Sequence, residues 1–264
     1  MELTVPLAHG PGGPCEAVVR PLSAGDARAI AGLRRALPPA MLATAILERA
    51  VVRLADSDRV TARDLRFLTA GDRERLLLGT FASSYGPRLE LVARCPECGE
   101  TAELELAAGD LVASTGDGQR ETCFIEAGVE IAVRLPTGED QEECARRPAE
   151  AASILLSRCV IVDGGDSVPA VAAADGDIAL RVDRAIAAMD PLATGSLDFP
   201  CPACGTSVPG QFDALTLLLA RLPPAEALDA ATDRLARAYG WREPEIMALP
   251  VARHALYARQ AGAR

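Results

Sequence analysis

The pentapeptide Cys95-Pro-Glu-Cys-Gly99 recurs as Cys201-Pro-Ala-Cys-Gly205, and this repeat decides how the chain is organised. Each copy lies between two stretches of alternating apolar and polar residues, which predict the two strands of a hairpin. Cysteines separated by two residues can both reach one ion at about 2.3 Å, and the following glycine allows the tight turn. Cys95, Cys98, Cys201 and Cys204 therefore predict one closed, structural Zn²⁺ site.

The two copies are separated by 102 residues, so the predicted zinc ribbon is split by a large insertion. Three other arrangements remain open: two disulfides, a redox-active pair, and two separate or intermolecular metal sites. Disulfides are uncommon in a reducing cytoplasm. Redox-active pairs are usual at the N-terminus of a helix, whereas both pairs here fall in predicted hairpin turns. A single four-cysteine site is therefore favoured.

The charge of the chain argues against a nucleic-acid partner. The chain has 264 residues, a formal charge of -10, and 27 arginines but no lysine. Residues 91–212, which include both cysteine pairs, carry a net charge of -13, whereas phosphate binding uses clustered positive charge. No apolar run approaches the roughly 18 residues needed to span a bilayer, and the N-terminal residues do not resemble a signal peptide. We therefore expect a cytoplasmic protein without a membrane span.

The sequence carries no recognisable catalytic motif. The only histidines, His9 and His254, belong to neither a His-x-Glu nor a His-Glu-x-x-His motif. Glu97, inside the first cysteine pair, is expected to be an exposed polar residue of the turn. Phosphate-binding glycine loops and Ser-His-Asp signatures are also missing. We therefore expect a structural zinc, no catalytic or cofactor-binding residues, and a protein that is not an enzyme.

Hydrophobic periodicity predicts a mainly helical α+β protein with split zinc-ribbon-like hairpins. The expected segments are an extended N-terminal arm (1–22), an N-terminal helical region (23–90), the first zinc-knuckle hairpin (91–106), a hairpin plus helical insertion (107–196), the second zinc-knuckle hairpin (197–212) and C-terminal helices (213–264). Helices beyond the first hairpin are expected at 138–146, 149–160, 175–189, 213–221, 225–239 and 244–260. Capping boxes are expected for Thr61 with Asp64, Thr69 with Asp72 and Thr137 with Asp140.

The order of motifs along the chain resembles that of a known family. The motifs are Tyr85-Gly-Pro87, the two cysteine pairs, Arg134-Leu-Pro-Thr-Gly-Glu-Asp140, Asp190-Pro191 and Leu235-Ala-Arg-Ala-Tyr-Gly-Trp-Arg-Glu-Pro-Glu-Ile246, followed by Leu249, Arg253 and Tyr257. Over roughly residues 30–260 this order resembles the T4-type baseplate hub assembly chaperone family, whose members are encoded with contractile phage tails and phage-tail-like injection systems. The Arg-Leu-Pro-Thr-Gly element and the tail 239–246 carry most of the resemblance.

The resemblance implies a non-enzymatic assembly factor or structural component of the baseplate of a contractile injection system. Its partners would be baseplate or hub and spike proteins, and it would stay in the cytoplasm or be incorporated into the assembled particle. We hypothesise that the C-terminal helices, around Trp241 to Tyr257, dock on a baseplate protein. We also hypothesise that the zinc site holds the insertion 135–191 against the terminal helices. The alternative is a zinc-ribbon nucleic-acid-binding or transcription accessory protein, which the acidic middle segment disfavours.

Overall fold

Short antiparallel strands alternate with helices in the computed structural model, which describes residues 1–113, 118–126, 129–162 and 176–262. The strands are β1 (Leu3–Leu7), β2 (Cys15–Val19), β3 (Val51–Leu54), β4 (Arg88–Arg94), β5 (Thr101–Ala107), β6 (Glu121–Glu126), β7 (Val129–Arg134), β8 (Val160–Val162), β9 (Ser196–Pro200) and β10 (Ser207–Gln211). The helices are α1 (Ala24–Leu33), α2 (Pro39–Ala50), α3 (Ala62–Phe67), α4 (Ala70–Tyr85), α5 (Ala108–Val112), α6 (Gly138–Arg146), α7 (Ala151–Cys159), α8 (Gly176–Met189), α9 (Ala214–Arg221), α10 (Ala225–Tyr239), α11 (Glu243–Met247) and α12 (Val251–Gly262). The predicted class, a mainly helical α+β protein, is confirmed.

The strands described form four small antiparallel sheets, ordered β1-β2-β3, β4-β5, β6-β7-β8 and β9-β10. Each cysteine pair therefore lies between the strands of its own two-stranded hairpin, as the alternating sequence predicts. In the first hairpin Leu89 lies opposite Leu106, and Leu91 lies opposite Leu104. A lone two-stranded hairpin is marginal in water, so both hairpins depend on what packs against them.

Helix α4 lies at the centre of the largest hydrophobic core. Its side chains Leu76, Leu78 and Phe81 are at most 3% exposed, and they pack with residues of α1, α2, α9 and the first sheet. Gly79 allows the first strand to approach closely, because a Cβ at this position would lie 2.4 Å from Cγ2 of Val5. The helix ends at Gly86, whose φ of +102° suits glycine.

The N-terminal residues differ from the extended arm that we expected. Strands β1 and β2 pair as a hairpin, and Val5 and Val19 are fully buried in the largest core. The loop 8–14 between them is rich in glycine and proline. That composition obscured the alternating apolar residues on either side, which are the actual signal for strands. The hairpin is therefore an integral part of the fold.

Two of the three expected capping boxes are confirmed, at Thr61 with Asp64 and at Thr137 with Asp140. Of the third expected box, Thr69 with Asp72, only one of the two hydrogen bonds is formed. Thr69 does accept the backbone N–H of Asp72, at 3.3 Å. The Asp72 carboxylate, however, does not bind the Thr69 N–H in return; it accepts backbone N–H groups of the N-terminal hairpin.

The C-terminal helices begin and end close to the expected bounds, with one interruption. The single helix expected at 244–260 is two helices, α11 and α12, separated at 248–250. Pro250 restricts the preceding residue and cannot donate a helical hydrogen bond. The interrupted backbone is hydrogen-bonded to the start of α1. Ala24 donates its N–H to the carbonyl of Leu249, and Val251 donates its N–H to the carbonyl of Leu22, at 2.9 Å each.

The hairpin and helices of residues 107–196 form a second, smaller core of their own. Ile131 and Val133 of β7 pack against Ile178, Val182 and Ile186 of α8. The turn expected at Ala127–Gly128 and nearly all of the stretch 162–174, which offered no motif, lie outside the described residues. Three short elements, β3, β8 and α5, were missed by sequence reasoning.

The insertion is attached to the N-terminal helices, and this corrects the hypothesis that it is held against the terminal ones. Helix α6 packs on α2 and α3, and the turn after α8 packs on α4. Thr44 donates to Glu142 at 2.7 Å, and Arg73 donates to Gln141 at 3.1 Å. The insertion therefore has anchors that do not involve the cysteines.

Candidate metal centre

The two cysteine turns have the same backbone geometry. Cys95 donates its N–H to the carbonyl of Glu100 at 2.9 Å, and Gly99 donates to the carbonyl of Cys95 at 3.1 Å. Cys201 and Gly205 repeat the two bonds at 2.8 and 2.9 Å. Gly99 and Gly205 have φ values of +72° and +76°, which glycine adopts at little steric cost. The repeated pentapeptide thus gives a repeated turn.

The two turns bring their four sulfur atoms together. All four Sγ atoms lie within 4.8 Å of one another. The Sγ atoms of Cys95 and Cys204 are 3.7 Å apart, as are those of Cys98 and Cys201. Four sulfurs placed tetrahedrally at about 2.3 Å from a zinc ion would be about 3.8 Å apart, whereas a disulfide requires about 2.05 Å. The spacing fits four ligands of one tetrahedral ion.

Little apolar surface supports this cluster. Ala102, Phe199 and Val208 are buried between the hairpins together with Cys95 and Cys201, which are 2% and 3% exposed. Cys98 and Cys204 are exposed. Because only a few apolar side chains lie between the hairpins, an ion bound by all four sulfurs would be a principal link between them.

The other candidate residues lie elsewhere. His9 and His254 are buried, at 1% and 2% exposure, while Glu97 is exposed as expected. Cys159 is a core residue, as its position on an apolar helix face indicated. Within the described ranges, the four cysteines are the one group of three or more His, Cys, Asp and Glu side chains placed to hold a metal.

A buried ionic cluster, which sequence reasoning missed, lies beside the N-terminal hairpin. Arg75 donates to both carboxylate oxygens of Asp190, at 2.8 and 3.0 Å, and lies 3.4 Å from Asp72. All three side chains are fully buried. The imidazole Nε2 of His9 is 3.8 Å from Asp190. Gly71 makes room for this contact, since a Cβ there would lie 2.0 Å from the Asp190 carboxylate.

This ionic cluster joins three distant segments. Asp72 accepts the backbone N–H groups of Ala8 and His9 at 2.8 and 2.9 Å, which attaches the N-terminal hairpin to α4. Asp190, at the end of the insertion, attaches that segment to the same helix through Arg75. Burial raises the pKa of Asp72, although Arg75 and the two N–H groups oppose it. The sequence indicated only a helix cap at Asp72 and a helix stop at Asp190-Pro191.

A second polar junction fixes α6. The guanidinium of Arg73 donates to the carbonyls of Ala40 and Leu65 at 3.0 Å each, and burial lowers its pKa to about 10. At the start of α6, burial alone would raise the pKa of Asp140. Hydrogen bonds from Arg134 and Arg158 outweigh it and hold that pKa well below its usual range. The Arg134–Asp140 element thus has a structural role at this junction.

One half-buried carboxyl group, that of Glu74, gives a prediction about pH. Glu74 accepts the N–H of Ala214 at 2.6 Å, but burial and the nearby Asp213 raise its pKa to about 7. The folded state therefore binds this proton more tightly than the unfolded state, so its contribution to stability is lost as pH rises from about 4.5 to about 7. We expect Glu74→Gln to be more stable than the parent at pH 8, by on the order of 1–3 kcal/mol.

The measurement is urea unfolding of both proteins from pH 5 to pH 8. The free energy of unfolding of Glu74→Gln should exceed that of the parent by an amount that increases with pH. A difference that stays constant across this range would contradict the raised pKa. Glu226→Gln, an exposed glutamate at the start of α10, is the matched control and should show no such trend.

The fold and the cysteine geometry define a mainly helical α+β protein in which two hairpins present one four-thiol cluster. A family model described as "T4 bacteriophage base plate protein" matches residues 19–216, which is three quarters of the chain. The chain belongs to this family. The matched range includes both cysteine pairs and the Arg-Leu-Pro-Thr-Gly element, whereas the tail 239–257 lies beyond it. Searches of curated proteins and of solved structures gave no significant match.

Among the described residues, none of the helices is both long and apolar enough to cross a bilayer.

Proposed function

We propose that this protein is a non-enzymatic assembly factor or structural component of the baseplate of a contractile phage-tail-like injection system. The observation that carries the proposal is the family match over residues 19–216. Baseplate proteins act by binding other proteins of the baseplate. Its partners would therefore be baseplate, hub or spike proteins, and it would act in the cytoplasm where particles assemble, or within the particle itself.

We further propose that Cys95, Cys98, Cys201 and Cys204 bind one structural Zn²⁺. Four sulfurs with tetrahedral spacing leave no coordination position for water or substrate, which is typical of structural zinc sites. The ion would hold the β4-β5 and β9-β10 hairpins together across a separation of 102 residues. It would supply charge neutralisation and a crosslink, and no chemistry toward a substrate. This supports a role in binding and assembly.

The C-terminal helices are the proposed docking element for a baseplate protein. Tyr239 stacks on Trp241 with ring centroids 4.8 Å apart, and Tyr257 packs edge-on against Trp241 at 5.5 Å. Arg253 lies 5.9 Å from the centre of the Tyr257 ring. Trp, Tyr and Arg are the residues that most often dominate the energy of protein interfaces. These rings are only partly buried, so they remain accessible to a partner.

The experiment is co-purification of tagged protein with the baseplate proteins encoded beside it. We expect retention by the full chain and loss on deletion of 225–264. Because this deletion removes Leu228 and Val251 from the contact with α1, the variant Trp241→Ala/Arg253→Ala gives a second test, and its thermal unfolding is measured to establish that it is folded. Co-purification that survives both changes would contradict the docking role. No retention of the full chain by any baseplate protein would contradict the proposed function.

A further inference from the structure

A groove of about 450 Å³ lies between the end of α1 and the connection from α9 to α10. Its floor is apolar, with Ile30, Leu219, Leu222 and Pro223 among the lining residues. This volume is within the range of sites that enclose a small ligand or a few side chains. One wall belongs to the residues matched by the family model, and the other wall, 219–226, lies beyond them.

The rim of the groove carries two positive charges that form no ion pair within the described residues. Arg34 and Arg35 line the groove and are exposed. Neither forms an ion pair with a carboxylate of the described residues, and Glu226 is the one acidic side chain in the lining. Two adjacent guanidinium groups at an apolar groove give it a local positive charge in a chain of charge -10.

Arg28, one to two turns earlier on the same helix, shows what such a side chain does when a carboxylate is available. Its Nε lies 2.9 Å from Asp229 and its Nη1 lies 3.4 Å from Glu243, so it pairs α1 with both α10 and α11. Arg34 and Arg35, directly after α1, form no such pair within the described residues. They are therefore placed to pair with a carboxylate from outside the chain.

The walls of the groove are fixed before anything binds. A capping box between Ser23 and Asp26 fixes the start of α1. Ala24 and Ala27 of α1 pack against Leu228 and Val251 of the C-terminal helices. A rigid groove loses little conformational freedom when it is occupied, which favours binding.

We propose that this groove binds a short segment of a partner protein in which an apolar side chain is flanked by carboxylates. The apolar side chain would occupy the floor, and the carboxylates would pair with Arg34 and Arg35 at the rim. A second copy of the chain is a poorer occupant, because two molecules of charge -10 repel one another. The inference deepens the proposed function by naming the chemistry of one partner segment, and it rests on that function only for the partner's identity.

The probe is a displayed library of random twelve-residue peptides, selected on the full-length wild-type protein and counter-selected on Arg34→Glu/Arg35→Glu. We expect the enriched peptides to carry two or more Asp or Glu residues beside Leu, Ile or Phe. The most enriched peptide is then synthesised with a fluorescent label and titrated by anisotropy. Its affinity should fall at least tenfold in the double variant, and it should weaken as salt is added.

The matched control is Arg59→Glu/Arg63→Glu, which makes the same charge change on two exposed arginines elsewhere. It should retain wild-type affinity, and thermal unfolding should confirm that both double variants are folded. Enriched peptides without an acidic excess, or equal loss of affinity in both double variants, would overturn the inference. Light scattering gives the other decisive outcome: a dimer that Arg34→Glu/Arg35→Glu converts to monomer would assign the groove to a second copy. Because the assay uses no baseplate protein, its failure leaves the co-purification result unaffected.

Discussion

Cys201→Ser is expected to abolish stoichiometric zinc binding and to lower the free energy of unfolding by on the order of 5 kcal/mol. A serine hydroxyl is a poor substitute for a thiolate ligand, and the few apolar side chains between the hairpins cannot compensate for the lost crosslink. The expected loss is smaller than the roughly 10–16 kcal/mol that structural zinc contributes in isolated finger peptides. The difference arises because the rest of this fold has its own cores.

The measurements are metal analysis by mass spectrometry and thermal unfolding, with and without a chelator. Wild-type protein should contain one zinc per chain and lose stability when the ion is removed. Cys123→Ser is the matched control, because Cys123 is an exposed cysteine outside the cluster, and it should change neither quantity. Unaltered unfolding of Cys201→Ser would reject a stabilising metal site.

Removing one partner of the buried ionic cluster is expected to lower the free energy of unfolding almost as much as Cys201→Ser does. Asp190→Ala should cost about 3–5 kcal/mol, because it leaves the guanidinium of Arg75 buried without its main partner. Both side chains are fully buried and bonded at 2.8 and 3.0 Å. The variant also detaches the end of the insertion from α4, so we expect earlier proteolysis within the insertion as well as a lower melting temperature.

Replacing all charged members of the cluster tests whether the unpaired charge causes the loss. The combined variant Asp72→Asn/Arg75→Met/Asp190→Leu should be more stable than Asp190→Ala, because it leaves none of the three charges buried without a counter-ion. The control is Asp233→Ala, which breaks the exposed pair with Arg237 and should cost no more than about 0.5 kcal/mol. An Asp190→Ala variant as stable as this control would contradict the buried role of the cluster.

The sequence was most informative where a signal is local. The cysteine pairs, the alternating strands around them and the Thr61 and Thr137 caps all depend on residues within a few positions of one another. Each could therefore be predicted with nearly correct bounds. Two local signals gave wrong expectations: two helices separated near Pro250 were expected as one, and the alternating residues of the N-terminal hairpin were expected as an extended arm.

Apart from the two cysteine pairs, whose repeated pentapeptide indicates that they belong together, long-range partners could not be predicted from the sequence. Asp72 has the spacing of a capping residue, yet its carboxylate binds the backbone of a hairpin more than sixty residues away. Asp190 directly precedes Pro191, which indicates only the end of a helix. Its carboxylate nevertheless pairs with Arg75, 115 residues away in the sequence. Neither spacing nor periodicity carries information about such pairs. For the same reason the sequence placed the insertion against the wrong helices.

The separation of the two cysteine turns also bears on biosynthesis. The second turn leaves the ribosome about 100 residues after the first, which at typical elongation rates of about 5–20 residues per second is a delay of about 5–20 s. During that interval Cys95 and Cys98 have no counterpart, and the nascent chain can offer an ion only two of the four sulfurs. Completion of the thiol cluster is therefore a late event in synthesis, and it marks a chain that has been translated through residue 204.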